Sequence, residues 1–223
     1  MEADRPTPAE NAQNPEFDRQ FRELLETLLV WRRDVRRFRT DPLPDGMLDQ
    51  LLGQAALSPS VGNAQPWRFV LVEDTGRRMK IIANFEKANA AALNDYDGEK
   101  AELYAGLKLA GLNEAPVHLA VYCDGKSELG HGLGLKTMPE MLAYSVVGAI
   151  TTLWLAARAH GIGLGWVSIL DPEDVNRTLE VPDGWTLIGY LCIGYPVEEH
   201  DDPELVRAGW QDRVNISNFI LRR

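Results

Sequence analysis

The stretch that decides the fold is residues 139–170, PEMLAYSVVGAITTLWLAARAHGIGLGWVSIL. From Tyr144 to Ala157 its only polar side chains are Ser145, Thr151 and Thr152, and Gly148 and Ala149 are small. This predicts a helix over 139–160 that is apolar on all sides. Such a helix is buried, either in a core or between subunits. It runs directly into GLGWVSIL, an apolar run that predicts a strand. A buried helix followed by a buried strand calls for a sheet covered by helices.

The flanking sequence supplies the other elements. Phe17, Phe21, Leu24, Leu25, Leu28 and Trp31 recur at helical spacing over 17–31. PDGMLDQLLGQAAL (44–57) predicts a second helix, with Pro44 and Asp45 as start signals. SPSVGNAQPW (58–67) reads as a loop and RFVLVED as a strand. Residues 77–94 and 99–112 read as two helices joined at Asp97-Gly98, VHLAVYCD (117–124) as a strand, and GKSELGHGLGLK as a flexible glycine-rich segment. DPEDVNRTLE predicts a short helix with Asp171 as N-cap and Pro172 in its first turn. WTLIGYLCIGYP predicts a long buried strand. The polar tail from 198 onward carries isolated apolar residues that need a surface to lie on. Strands separated by helices, with no repeat and no internal linker, make the chain α+β or α/β.

Hydrophobic residues are 45% of the 223, enough for a sizeable core. The longest apolar stretch, near 146–157, is too short for a membrane span. Net charge is −10, a surface that repels nucleic acid and anionic membranes, so neither is an expected partner. The acidic, proline-bearing start is no signal peptide and predicts a mobile leader over 1–16. Cys123 and Cys192 lie in apolar runs, as buried strand residues of a cytoplasmic protein do. The four histidines are scattered, so no metal site is expected.

Against this acidic background, WRRDVRRFR (31–39) puts five arginines in eight positions around one carboxylate, Asp34. Charge alone leaves two readings open: a solvated face paired with Asp and Glu, or a seat for a small anion. If the run is extended, Arg32, Asp34 and Arg36 share one face, and Arg33, Val35 and Arg37 the other. Arginine forks suit phosphate. Asp34 is then either a bridging partner for the arginines or a reactive carboxylate held among them. Two further segments carry candidate groups. SPSVGNAQPW offers hydroxyls and amides to a polar ligand, or is an ordinary loop entering a strand. GIGLGWVSIL (161–170) allows close backbone approach but lacks the dinucleotide fingerprint. Its Ser168, in an apolar strand, needs a hydrogen-bond partner if buried.

Taken together and in order, RRDVRRF, PSVGNAQPWRF, LWLAARAHGIGLGWVS and the late GYP resemble the FMN-dependent nitroreductase family over about residues 25–197. The resemblance implies an α+β, nitroreductase-like fold: a central, mostly antiparallel sheet flanked by helices, in an intertwined homodimer with FMN at the subunit interface. The domain would span 17–197, with helix 139–160 at the dimer core. Residues 198–223 would form an arm on the domain or on the partner. Asp34 stands where common nitroreductases carry serine. With GWVS and PELVRAGW, it makes the chain similar to the 5,6-dimethylbenzimidazole synthase branch. Asn63-Ala64 before Gln65 departs from that pattern.

That branch consumes reduced FMN with dioxygen, giving dimethylbenzimidazole and erythrose 4-phosphate for the lower ligand of vitamin B12, and a separate flavin reductase supplies the reduced FMN. The resemblance implies that Arg32, Arg33 and Arg36 hold the phosphate and ribityl end, with Val35 beside them. Asp34 would transfer protons and Ser168 would bond the flavin near its reactive centre, making these two the catalytic pair. Ser60, Gln65 and Lys108, the last from helix 99–112, would contact the flavin, and the backbone of Gly165 and Trp166 would approach its ring. Segment 84–112, with Asn89, Tyr96 and Tyr104, would be a lid. Two rivals stand beside this reading: an NAD(P)H-dependent nitroreductase or flavin reductase, and a non-catalytic flavin-binding protein.

Overall fold

The computed structural model describes residues 15–223. The leader expected over 1–16 lies outside the described residues except for Pro15 and Glu16. Four strands form one sheet in the order β1 (Trp67–Leu71), β2 (Val117–Asp124), β4 (Trp185–Gly194), β3 (Gly163–Val167). Every pairing between these strands is antiparallel, in line with the mostly antiparallel sheet that the resemblance implied.

The period of two along β2 and β4 builds two cores. Leu119, Val121, Leu191 and Ile193 face α5 (Met141–Ala159) and α2 (Met47–Ala55). Ala120, Tyr122, Tyr190 and Cys192 face the other way, towards Ile81 of α3 (Thr75–Leu93) and Val175 and Leu179 of α6 (Pro172–Leu179). Cys123 and Cys192 fall in different cores and are both free and buried. Burial pushes the Cys192 thiol up to about 12.

By length and composition α5 is apolar enough to cross a membrane. It does not bury all its sides, however. Leu142, Val146, Ala149, Ile150, Leu153 and Ala157 are buried in the first core, while Tyr144 and Val147 stand exposed on the opposite side. The helix α1 (Arg19–Trp31) starts on Asp18, which accepts a hydrogen bond from the Phe21 N–H at 2.7 Å, and none of its residues is buried. Its apolar face is left open, with Leu24 61% exposed.

Several boundaries differ from the sequence pattern, each for a local reason. The second helix starts at Met47, because Gly46 has φ +76° and Asp45-Gly46 form a turn before it, closed by the Met47 N–H donating to the Pro44 carbonyl at 3.0 Å. Asp74 caps α3 rather than ending a strand, accepting from the Arg77 N–H at 2.7 Å. The helix α4 (Glu99–Gly106) ends six residues before 112, where Leu107 turns extended. The segment 125–136 is ordered by packing: a Cβ at Gly130 would lie 2.5 Å from the Gly62 carbonyl, so its turn seats directly on the 61–64 loop.

Candidate active site

Residues 34–38 run beside β3 as an extended segment. The Val35 N–H donates to the Leu164 carbonyl at 3.0 Å, and Asp34 and Leu164 form a parallel bridge. This approach requires glycine on β3. A Cβ at Gly163 would lie 2.7 Å from Val35 Cγ2, and one at Gly165 would run into the Val35 carbonyl. The glycines thus make room for the arginine segment. The indole of Trp166 lies over Gly189 in the same manner.

Asp34 is held at both oxygens. Oδ1 accepts from the Trp166 N–H at 2.9 Å and Oδ2 from Arg36 Nε at 2.9 Å. Arg36 also donates from Nη1 to the Lys108 carbonyl at 3.2 Å. Asp34 and Arg36 therefore share a face, as residues two apart in an extended run should.

The five arginines divide. Arg37 pairs with Glu198 at 2.6 Å and Arg39 with Asp41 at 2.8 Å, as in the solvated-face reading. Among the described residues no carboxylate pairs with Arg32 or Arg33. Arg32 lies over the Trp154 ring at 4.8 Å. Arg33 donates to the Asp201 carbonyl at 2.6 Å, and its buried Nε has no partner. Burial holds both guanidinium groups below the usual arginine range; Asp34 opposes the shift at Arg32, while Arg213 and, at Arg33, Arg32 itself add to it. Arg213 comes from the tail. It lines a cavity of about 170 Å³ with Arg32, Arg33, Asp34, Arg36, Glu204 and Leu205. Four guanidinium groups outnumber the two carboxylates of this lining, Asp34 paired with Arg36 and Glu204 with Arg37, and such an excess suits a phosphate, which would satisfy the free donors and quench the repulsion. Sequence reading missed Arg213 because nothing local marks a lone tail arginine; only the fold returns it to residue 33.

The other candidates are placed as follows. Lys108 is in coil beyond α4, not on a helix, and its ammonium pairs with Glu114. Ser168 lies just past the end of β3 and is exposed, so its hydroxyl needs no protein partner. Ser60 Oγ accepts from the Gln65 N–H at 3.0 Å. Their loop is pinned to α5 by Ser58 Oγ donating to Thr152 Oγ1 at 2.6 Å and by the Val61 N–H donating to Ser145 Oγ at 3.1 Å. Asn63 and Gln65 take positive φ (55° and 45°), the kind of strain that gathers at functional loops. Neither residue, nor Ser60, lines the arginine cavity. Ser145 and Trp154, which hold the loop and the Arg33 carbonyl respectively, are separated by roughly 13 Å of helix at 1.5 Å per residue. One chain therefore brings together Arg32, Arg33, Asp34, Val35, Arg36, Gly165 and Trp166, and leaves Ser60 and Gln65 apart.

A four-stranded antiparallel sheet lies under a long α5 with an arginine segment on its edge strand, and the nitroreductase family pattern matches residues 29–195. The chain belongs to the nitroreductase family. It is 57% identical to a 5,6-dimethylbenzimidazole synthase of Rhodospirillum rubrum, over 89% of this chain and 94% of that one. It is 48% identical to a protein of the same name from Rhodobacter capsulatus, over 89% and 96%. Among solved structures, an oxidized iodotyrosine deiodinase bound to FMN and 3-iodo-L-tyrosine superposes with a TM-score of 0.67 at 28% identity, over 79% of this chain and 91% of that one.

Proposed function

We propose that this chain is a 5,6-dimethylbenzimidazole synthase, which cleaves reduced FMN in an oxygen-dependent reaction to dimethylbenzimidazole and erythrose 4-phosphate. The observation that carries the reading is near-full-length identity with two proteins of that name. The site fits the ligand: Arg32, Arg33 and Arg213 lack carboxylate partners among the described residues and line one cavity of about 170 Å³.

Bound reduced FMN supplies both the electrons for dioxygen and the atoms of the product. The arginines anchor its phosphate and thereby set where the ribityl chain and ring lie. Asp34, fixed by the Trp166 N–H and by Arg36, keeps a free lone pair on each oxygen and is the group that moves protons. Ser168, exposed beyond β3, presents a hydroxyl with no competing bond to the ring. The backbone of Gly165 and Trp166 lies against the Asp34–Val35 segment and holds it in register.

At about 170 Å³ the cavity is below the roughly 300 Å³ at which small-molecule pockets begin, so the ring must be housed elsewhere. In our reading a second copy provides that housing. The open faces of α1 and α5 associate in a homodimer, and the partner's 58–65 loop covers the flavin. Reduced FMN comes from a separate flavin reductase. Free, buried cysteines and a buried α5 stripe support a cytoplasmic enzyme.

The test is a single turnover. Purified protein is loaded with FMN, reduced by an unrelated flavin reductase and exposed to air, and dimethylbenzimidazole is measured by mass spectrometry. Product in proportion to FMN lost is expected, and Asp34→Asn should retain flavin while losing product by about 100-fold or more. FMN returned intact with only peroxide formed would make the chain an ordinary reductase.

A further inference from the structure

The tail does more than lie along the domain. From 198 it is tied to the arginine segment by Arg37–Glu198 and by the Arg33 bond to the Asp201 carbonyl. It then forms one short helix, α7 (Glu204–Arg207), whose Glu204 and Leu205 line the arginine cavity. That helix ends in a tight turn. Gly209 has φ +71°, its N–H donates to the Val206 carbonyl at 3.0 Å, and the Trp210 N–H donates to the Leu205 carbonyl at 2.9 Å. These paired bonds are the glycine-terminated helix stop, and they fix Trp210 rigidly with respect to Leu205.

Trp210 meets Tyr96 edge-on at 5.4 Å and Tyr104 at 6.1 Å, and those two rings stack on each other at 4.9 Å. Lys100 Nζ sits 4.9 Å from the centre of the Trp210 ring. Tyr104 is buried, and its hydroxyl donates to Asn89 Oδ1 at 2.8 Å, which ties α4 to α3. Among the described residues α4 packs mainly on α3, and only lightly, so it has few anchors. Just beyond it, residue 108 offers its carbonyl to Arg36.

We infer that Trp210 is a positioning residue: it latches the α3–α4 hairpin to the wall of the arginine cavity, so that an anion held there steadies the hairpin. Aromatic contacts of this kind stabilise beyond area burial, and a thinly packed helix depends on them more than a deeply buried one does. Sequence reading had Tyr96 and Tyr104 in a lid and Trp210 in a tail, with nothing to join them. The inference rests on the proposed function for its FMN response and its turnover readout, and not for the exchange rates of wild type against Trp210→Ala without ligand.

Hydrogen exchange of full-length protein, with and without FMN, tests the latch without requiring turnover. In wild type, FMN should slow exchange over 95–107. Trp210→Ala should speed exchange there by at least tenfold and abolish the response to FMN, leaving α5 amides unchanged. Trp210→Phe should restore most of the protection, and Tyr96→Leu, made from the hairpin side, should reproduce the loss if Trp210→Ala does not fold. In turnover, Trp210→Ala should give less dimethylbenzimidazole and more peroxide per FMN reduced, with the pH profile unchanged. Equal protection of 95–107 in wild type and Trp210→Ala would overturn the latch, even in an active enzyme. Loss of protection in a protein whose wild type makes no dimethylbenzimidazole would keep the latch and overturn the function instead.

Discussion

At the scale of single residues, Asp34 is a structural carboxylate to which the proposed function also gives a chemical role. Its two oxygens tie the arginine segment to β3 and to Arg36, so substituting it tests chemistry only if flavin binding survives. Gly165 is the complementary case, a residue that matters through what it lacks. Any Cβ there runs into the Val35 carbonyl, and backbone cannot swing aside as a side chain can. Gly165→Ala should push residues 34–38 off β3, lowering stability by about 1–3 kcal/mol and weakening FMN binding together. Urea denaturation and a flavin titration on the same variant check this. Unchanged values in both would mean that the strand edge yields more easily than its bonds imply. The sequence marked 161–165 as a place of close backbone approach. It could not say whether a ligand or the chain itself would approach. Here Val35 does.

Among elements, α5 is the informative one. Its composition is apolar nearly all round, yet the chain covers only the stripe from Leu142 to Ala157. Tyr144 is 55% exposed and Val147 38%, and α1 leaves Phe21 and Leu24 open. In the proposed homodimer these open apolar faces would be the association surface. Val147→Lys should shift the protein from dimer towards monomer in sedimentation analysis and release bound FMN with it. A stable dimer that keeps its flavin would place the interface elsewhere. The ends of elements were the least legible part. Asp171 capping α6 could be read from the sequence, because Asp-Pro-Glu-Asp is a local signal, and its carboxylate accepts from the Glu173 N–H at 3.0 Å. The end of α4 at Gly106 and the coil around Lys108 were not legible, since the Lys108 carbonyl there bonds Arg36, 72 residues away in the chain.

For the whole molecule, His118 sets a pH dependence. It is buried on β2, with Nδ1 3.0 Å from the Tyr190 hydroxyl, and burial, with Arg78 nearby, lowers its pKa from 6.5 to about 4. Between those values the unfolded chain binds a proton that the native protein does not. Stability is therefore complete above about pH 6.5 and falls as pH drops towards 4, by about 3 kcal/mol in all. Denaturation midpoints from pH 7 to 4 should show this slope, and His118→Asn, which keeps an amide near Nδ1, should flatten it. An equal slope in the variant would assign the acid sensitivity to the carboxylates.

By itself the sequence narrowed the class to α+β or α/β and determined most helices and strands, the apolar setting of the two cysteines and the concentration of arginine around Asp34. These depend on periodicity, on local caps and on charges adjacent in the chain, all of which act over a few residues. Only the tertiary structure decided which arginines lack partners, that Arg213 joins Arg32 and Arg33, that α5 leaves a face open, and that Trp210 reaches Tyr96 and Tyr104. Each of these joins residues that are neighbours in space and strangers in sequence, and no local pattern encodes such a meeting until the sheet and α5 have set the distances.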